Sequence, residues 1–573
     1  MFKKTVYVLL LAFISSLWPM HVYAAGNAGS SFSDVPEGHW AFSEIHELRD
    51  LGITNGIGNN MFGLGKTIKR SEFVTYLVRL LGWDIVTPSS GSFADNQNKA
   101  AWYYPYIETA LRKGVISGDT LYFRPEEPIT REEMAVMIVR ALGYNALAGR
   151  LDYLDSPFKD VRNNVAYISI AEEFGIITGF PDNTFRPGAT ATREQAAAMI
   201  MRMYRKLKGK ISELHAFYAI SSSSQQDMIK WLDSVSFGWC RLEFDQAKKE
   251  PVLNTTNSNG NYFAVPPGFD GPVSLAGKNR VPAQLMVFAD NETVIEINGK
   301  KVGLLEYILT NEQLGSRIAE MIVEQVKNTE KDGKKVSFDG VVIDFEGMKG
   351  NTLKKAFNKF LDELRLRLGE KNLYVTVHPV RRAGQMYYDG YDYRHIGEVA
   401  DRVILMAHDY NAKKLTDLDM KNGYTFTPLT PVDEIFHALQ AITDEKTGVP
   451  KEKIWLQISF DSAQWKVKDG QVQNQYPYTP DYQAIYNRLV KNVQVNFPET
   501  VQNPYATFYD DNNGTYNVLW YEDSRSVAAK ITLAKMFGIK GISLWRLGNI
   551  PDYREASGKN VYLDVWNTIL KER

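Results

Sequence analysis

The sequence is short of cysteine, of net charge and of long apolar runs. One thiol, Cys240, in 573 residues excludes an internal disulfide, so the fold must rest on burial. Within VSFGWCRLEF that cysteine reads as a small apolar strand residue rather than a nucleophile or a ligand. Lys and Arg total 66 against 67 Asp and Glu, a net charge of −1 that excludes a basic nucleic-acid surface and a charge-expanded disordered chain. Past the N-terminal segment nothing approaches the ~20 apolar residues of a membrane span. No Cys and His cluster has metal-ligand spacing, and no Gly-rich loop leads from a strand into a helix. Neither a metal nor another cofactor is therefore expected.

What is present begins with a targeting signal. Lys3 and Lys4 precede an apolar run from Val6 to Trp18, and Val22, Tyr23 and Ala24 form a peptidase-type site, so residues 1–24 are expected to direct export. A repeat follows. FSDV opens at Phe32, FADN at Phe93 and FKDV at Phe158, and the arginines of IKRSE, ITREE and ATREQ recur at Arg70, Arg131 and Arg193. Both markers step by about 60 residues. In each unit a helix ends at a Gly-Ile or Gly-Val pair (Gly52, Gly114, Gly175), and a loop leads to a second helix. Thr130 and Thr192, with Glu133 and Gln195 three residues on, predict capping boxes for two of those second helices. The units span 31–85, 92–145 and 157–207.

These three copies resemble the S-layer homology module, which anchors exported proteins to bacterial walls through secondary wall polysaccharide. The resemblance gives Trp40 and Trp102 as the module's tryptophan, and Arg70, Arg131 and Arg193 as the arginine of its TRAE motif, all implied to bind wall polymer. Guanidinium forks suit carboxylates and indole faces suit sugar rings. The alternative is that the arginines cap and pair within the fold and the tryptophans are core.

Residues 211–573 change pattern to short apolar strands between helices. HAFYAI, FGWCRLEF, AQLMVFA, GVVIDFE, LYVTVHP, RVILMAH, KIWLQISF and GISLWRL predict an eight-stranded (β/α)8 barrel with insertions, behind a mainly α three-repeat region. Such barrels do their chemistry at the C-terminal strand ends. There, Asp344 and Glu346 in FDGVVIDFEG sit two apart, so strand alternation turns both to one side. Acids in an apolar strand are costly unless used or paired, and crowding separates their proton affinities. A structural acid pair bonded to loop amides is the competing account.

DGVVIDFE is similar to the DGxDxDxE signature of glycoside hydrolase family 18, and SLWRLG places Trp545 where that family has a tryptophan beneath the reacting sugar. The C-terminal stretch looks like the spore-cortex and peptidoglycan-hydrolysing branch. The resemblance implies substrate-assisted retaining hydrolysis, with Glu346 as acid and base and Asp344 holding the substrate's N-acetyl group as it forms an oxazolinium ion. It also implies substrate contacts from Met406, His408 and Asp409, in MAHD where the family reads MxYD; Tyr410, just after the motif, is a further candidate to line a subsite. Two departures stand out: Val342 replaces the signature's middle aspartate, and His408 replaces its tyrosine. Asn411, His378, Trp239, Trp455 and Trp520 are further candidates, the tryptophans being more readily core. The expectation is an exported, wall-attached glycosidase acting on N-acetylglucosamine-containing polymer, peptidoglycan first. The alternatives are a chitinase or a catalytically weak glycan-binding surface protein. No nucleic-acid partner is expected, and no membrane partner once the signal is cleaved.

Overall fold

The computed structural model describes residues 32–151, 154–380, 389–491, 493–553 and 560–573. The expected export signal lies outside them. The chain divides into two compact units, Met1–Ala141 with Arg186–Arg202, and Leu142–Phe185 with Met203–Arg573, a division that falls inside the third repeat.

In the first unit the repeats are helix pairs, Phe42–Asp50 with Arg70–Leu80 and Tyr104–Arg112 with Arg131–Ala141, and Arg193 opens the equivalent third helix, Arg193–Lys208. The second helix of each repeat starts at a cap. The Thr130 backbone N–H donates to the Glu133 carboxylate at 2.9 Å while the Glu133 N–H donates back to the Thr130 hydroxyl at 3.2 Å. Helix Phe42–Asp50 ends where Gly52 takes φ 70°, a left-handed turn that glycine enters without strain. A closed ring of backbone bonds links the loops before the second helices. Ile68 N–H donates to Ala191, Ala191 to Ile129 and Ile129 to Ile68, each at 3.0 Å, so the sequence repeat becomes a cyclic arrangement.

The second unit holds eight parallel strands: β1 Glu213–Tyr218, β2 Ser234–Asp245, β3 Ala283–Asp290, β4 Gly340–Glu346, β5 Asn372–Val377, β6 Arg402–Leu405, β7 Ile454–Ser459 and β8 Gly541–Trp545. Each pairs with the next and β8 pairs with β1, closing the barrel the eight apolar segments predict. Its interior is filled by a buried layer of Phe217, Met286, Val342, Tyr374, Ile404 and Trp455. Below it His215 is clamped between the hydroxyls of Ser543 and Ser236 at 2.8 and 2.7 Å, and burial pushes its imidazole down to about 3, which keeps it neutral. Cys240 is fully buried and its thiol is pushed up by burial, as an inert apolar residue requires.

Between β7 and β8 the chain builds a five-stranded antiparallel sheet from Ala463–Lys468, Gln471–Val472, Gln494–Asn496, Tyr505–Asp510 and Thr515–Trp520. Sequence reading expects insertions but not this sheet. Its core is Trp465 and Trp520 packed with Leu415, Leu429 and Val501. Both indoles are satisfied: Trp465 Nε1 donates to the Thr427 hydroxyl at 2.7 Å and Trp520 Nε1 to the Thr425 carbonyl at 2.8 Å.

Candidate active site

Strand β4 sorts its side chains by alternation. Phe345 turns outward and stacks on Phe360 of helix Gly350–Leu368, ring centroids 5.5 Å apart, while Val342 joins the interior layer. Asp344 and Glu346 therefore follow Val342 up the inner wall. Asp344 is 4% exposed and accepts a bond from the Thr376 hydroxyl of β5 at 2.5 Å. Burial first, and the charge of Glu346 second, push its carboxyl up to about 8.

Glu346 stands at the rim with about a third of its side chain exposed (32%), its Oε2 3.4 Å from His378 Nε2 after β5. On the β3 side Asp290 is its register partner. Burial, reinforced by the charges of Glu346 and Glu292, raises the Asp290 carboxyl against the pull of the Glu292 N–H, which donates to it at 2.8 Å.

A second polar group rises from the ends of β6 and β7. The His408 ring bonds Asp409 Oδ2 through Nδ1 at 2.8 Å and Gln457 Oε1 through Nε2 at 2.6 Å. Both ring nitrogens are thus taken up by protein oxygens. Burial, the largest single effect, lowers the ring's proton affinity, but the charge of Asp409, the bonds to Asp409 and Gln457 and the charge of Asp461 together outweigh it and raise it. Burial likewise opposes ionisation of Asp409, yet His408 and Lys413, whose Nζ is 2.6 Å away, hold that carboxyl far below the usual range. Asp461, raised by burial and by the charge of Asp409, bonds the Ser459 hydroxyl at 3.0 Å.

Of the residues expected from sequence, Asp344, Glu346, His408 and Asp409 fall in this one region, the charges of Glu346 and His408 both acting on Asp344. His408 differs from expectation in one respect: both ring nitrogens are engaged by the protein, so here it orients Asp409 and Gln457 and turns no nitrogen to a ligand. Met406 is buried at the end of β6, and Tyr410 is half-buried beside it. Trp545 ends β8 partly buried, edge-on to Phe217 of the interior layer at 5.1 Å. Trp239, Trp455 and Trp520 are buried, as core. The sequence alone does not single out Asp290, Thr376, Gln457 and Asp461. Their signal was a polar residue at the C-terminal end of a predicted strand.

In the repeats, Trp40 and Trp102 are 59% and 53% exposed, while Arg70, Arg131 and Arg193 are buried. Arg193 Nε donates to the Phe62 carbonyl at 2.8 Å, Nη1 to Glu72 at 2.5 Å and Nη2 to the Tyr76 hydroxyl at 2.8 Å. Arg70 repeats the scheme on the Phe123 carbonyl and Glu133. The partners belong to a different repeat, so these arginines join repeats rather than cap their own helices. Among the described residues no group of three or more His, Cys, Asp or Glu could hold a metal ion, and no helix is long and apolar enough to cross a membrane.

Residues 288–549 match the family described as Glycosyl hydrolases family 18, and 31–74, 92–135 and 157–197 match the S-layer homology domain. An S-layer protein of Bacillus thuringiensis subsp. finitimus is 29% identical over 198 residues, covering 34% of this chain and 24% of that protein. The chain thus spans about a quarter of that relative's length. A cortical fragment-lytic enzyme of Bacillus cereus is 24% identical over 313 residues, covering 52% of this chain and 68% of the enzyme. The crystal structure of the Bacillus cereus spore cortex-lytic enzyme SleL aligns with a TM-score of 0.46 at 20% identity, covering 63% of this chain and 74% of that one.

Proposed function

The chain carries a family 18 glycosyl hydrolase domain behind three S-layer homology repeats, and from that premise we propose that it is an exported, wall-attached glycosidase that cuts N-acetylglucosamine-containing polymer, peptidoglycan before chitin. The observation that carries the reading is the pair on β4: a buried, proton-holding Asp344 beside a rim-exposed Glu346. Glu346 protonates the glycosidic oxygen. The substrate's own N-acetyl carbonyl then attacks the anomeric carbon as its bond to the protonated oxygen breaks and the leaving sugar departs as an alcohol, so no protein nucleophile is needed. Asp344 orients that N-acetyl group beside the forming oxazolinium ion, and Glu346, left ionised by the first step, takes a proton from the water that opens it. Asp409, held ionised and oriented by His408, bonds the sugar, with Met406 and Tyr410 shaping the wall and Trp545 supporting the ring from below. The repeats bind secondary wall polysaccharide through the exposed indoles of Trp40 and Trp102, with buried Arg70, Arg131 and Arg193 fixing the packing behind that surface. This binding raises the barrel's concentration at its polymer without a new contact at the site.

One feature favours a second reading, a glycan-binding protein with weak turnover: Val342 lies in an apolar layer and supplies no inner carboxylate to relay a proton to Asp344. Incubating the full-length protein with purified walls separates the two. The glycosidase releases new reducing ends, and the masses of the products identify the bond cut. Retention on walls with no reducing ends over a long incubation would leave only the binding reading.

A further inference from the structure

A ridge of rings and ammonium groups runs outward from the carboxylate site. Lys413 Nζ bonds Asp409 at 2.6 Å and Asn411 Oδ1 at 3.2 Å. The next residue, Lys414, lies over the ring of Tyr476, 5.7 Å from its centroid, and Lys466 lies over the ring of Tyr478 at 4.7 Å. The backbone fixes both rings. Tyr478 exchanges paired bonds of 2.7 and 3.0 Å with Gln464, just beyond Asp461, and the Leu415 N–H donates to the Gln475 carbonyl at 2.9 Å. Tyr476 and Tyr478 are nevertheless 59% and 50% exposed. Among the described residues neither Lys414 nor Lys466 has a carboxylate within 4.0 Å.

We propose that Lys414, Lys466, Tyr476 and Tyr478 form an extended subsite for a carboxylate-bearing glycan strand, a proposal that rests on the glycan reading of the barrel and narrows its substrate to the acidic wall polymer. An ammonium parked over an exposed ring is held weakly, and a carboxylate offering charge-assisted hydrogen bonds outcompetes the ring for it. Drawing the ammonium aside frees the ring face, on which a sugar stacks. A strand that brings sugar and carboxylate together, as a wall glycan with acidic stem peptides does, meets both groups at once. A neutral N-acetylglucosamine oligomer meets only the rings.

The test uses full-length wild type and the K414Q/K466Q variant, Lys414 being exposed and Lys466 half-buried. The substrates are soluble peptidoglycan strands, stripped of secondary polymer but retaining stem peptides, and chitooligosaccharides of similar length. The KM for the acidic strands should rise about 5-fold or more with kcat nearly constant, as lost charge-assisted bonds dictate, and the KM for the neutral oligomer should move less. Calorimetric binding of the same strands reads the ridge apart from turnover. If wild type cuts neither substrate, the hydrolase reading fails, yet weaker binding of acidic strands by the variant, with a smaller salt dependence, still supports the ridge. Equal shifts for acidic and neutral glycans, or equal binding of acidic strands by wild type and variant, would overturn it.

Discussion

Asp344 sits where two requirements conflict. The proposed chemistry favours a charge beside an oxazolinium ion, while the barrel interior and the neighbouring Glu346 oppose ionisation and push the carboxyl up to about 8. A folded acid whose proton affinity is raised stabilises the protein below the unfolded pKa, near 4, and that stability is lost as pH climbs toward 8. Asp344→Asn removes the loss. Its unfolding midpoint should pull ahead of wild type from pH 5 to pH 8, by at most about 1.4 kcal/mol per pH unit, and then run parallel. Equal midpoint differences at both pH values would contradict this. The pair was legible in sequence because alternation acts over two residues. Asp290, Thr376 and Gln457 were not, because closure of the barrel brings them from β3, β5 and β7 to β4 and β6.

At the scale of elements, the sequence marked those whose signals are local. Each barrel strand is a bounded apolar run, and the capping boxes at Thr130 and Thr192 announce helices that begin where the structure begins them. The cyclic joining of repeats was hidden, since Arg193 finds Glu72 and Phe62 only through the fold. The five-stranded sheet was hidden for a related reason: Ala463 pairs with Trp520, and its core needs Leu415 and Leu429 from the loop after β6. Its hint was the long gap between β7 and β8, with alternating segments such as AQWKVK and TYNVLW. Trp465 is the test of that sheet. It is fully buried and bonded through Nε1, so Trp465→Ala should cost about 3–5 kcal/mol, read as a lower denaturant midpoint. A loss below about 1 kcal/mol would mean that the sheet does not depend on this core.

At the scale of the whole molecule, the proposed function divides labour: the repeats set location and the barrel does the chemistry. The two assignments can be separated without cutting the chain. Soluble secondary wall polysaccharide added in excess should strip the protein from intact walls and slow their hydrolysis, while leaving cleavage of a short soluble oligomer unchanged, because tethering acts through local concentration alone. Equal inhibition of both substrates would tie the repeats to catalysis itself. The barrel's part rests on Glu346, and one comparison weighs it most directly: the rate of reducing-end release from purified walls by wild type and by Glu346→Gln, which keeps the side chain's size and removes its titratable proton. The account predicts a fall on the order of 10²–10⁴-fold with wall binding intact. Release by Glu346→Gln at the wild-type rate would contradict it.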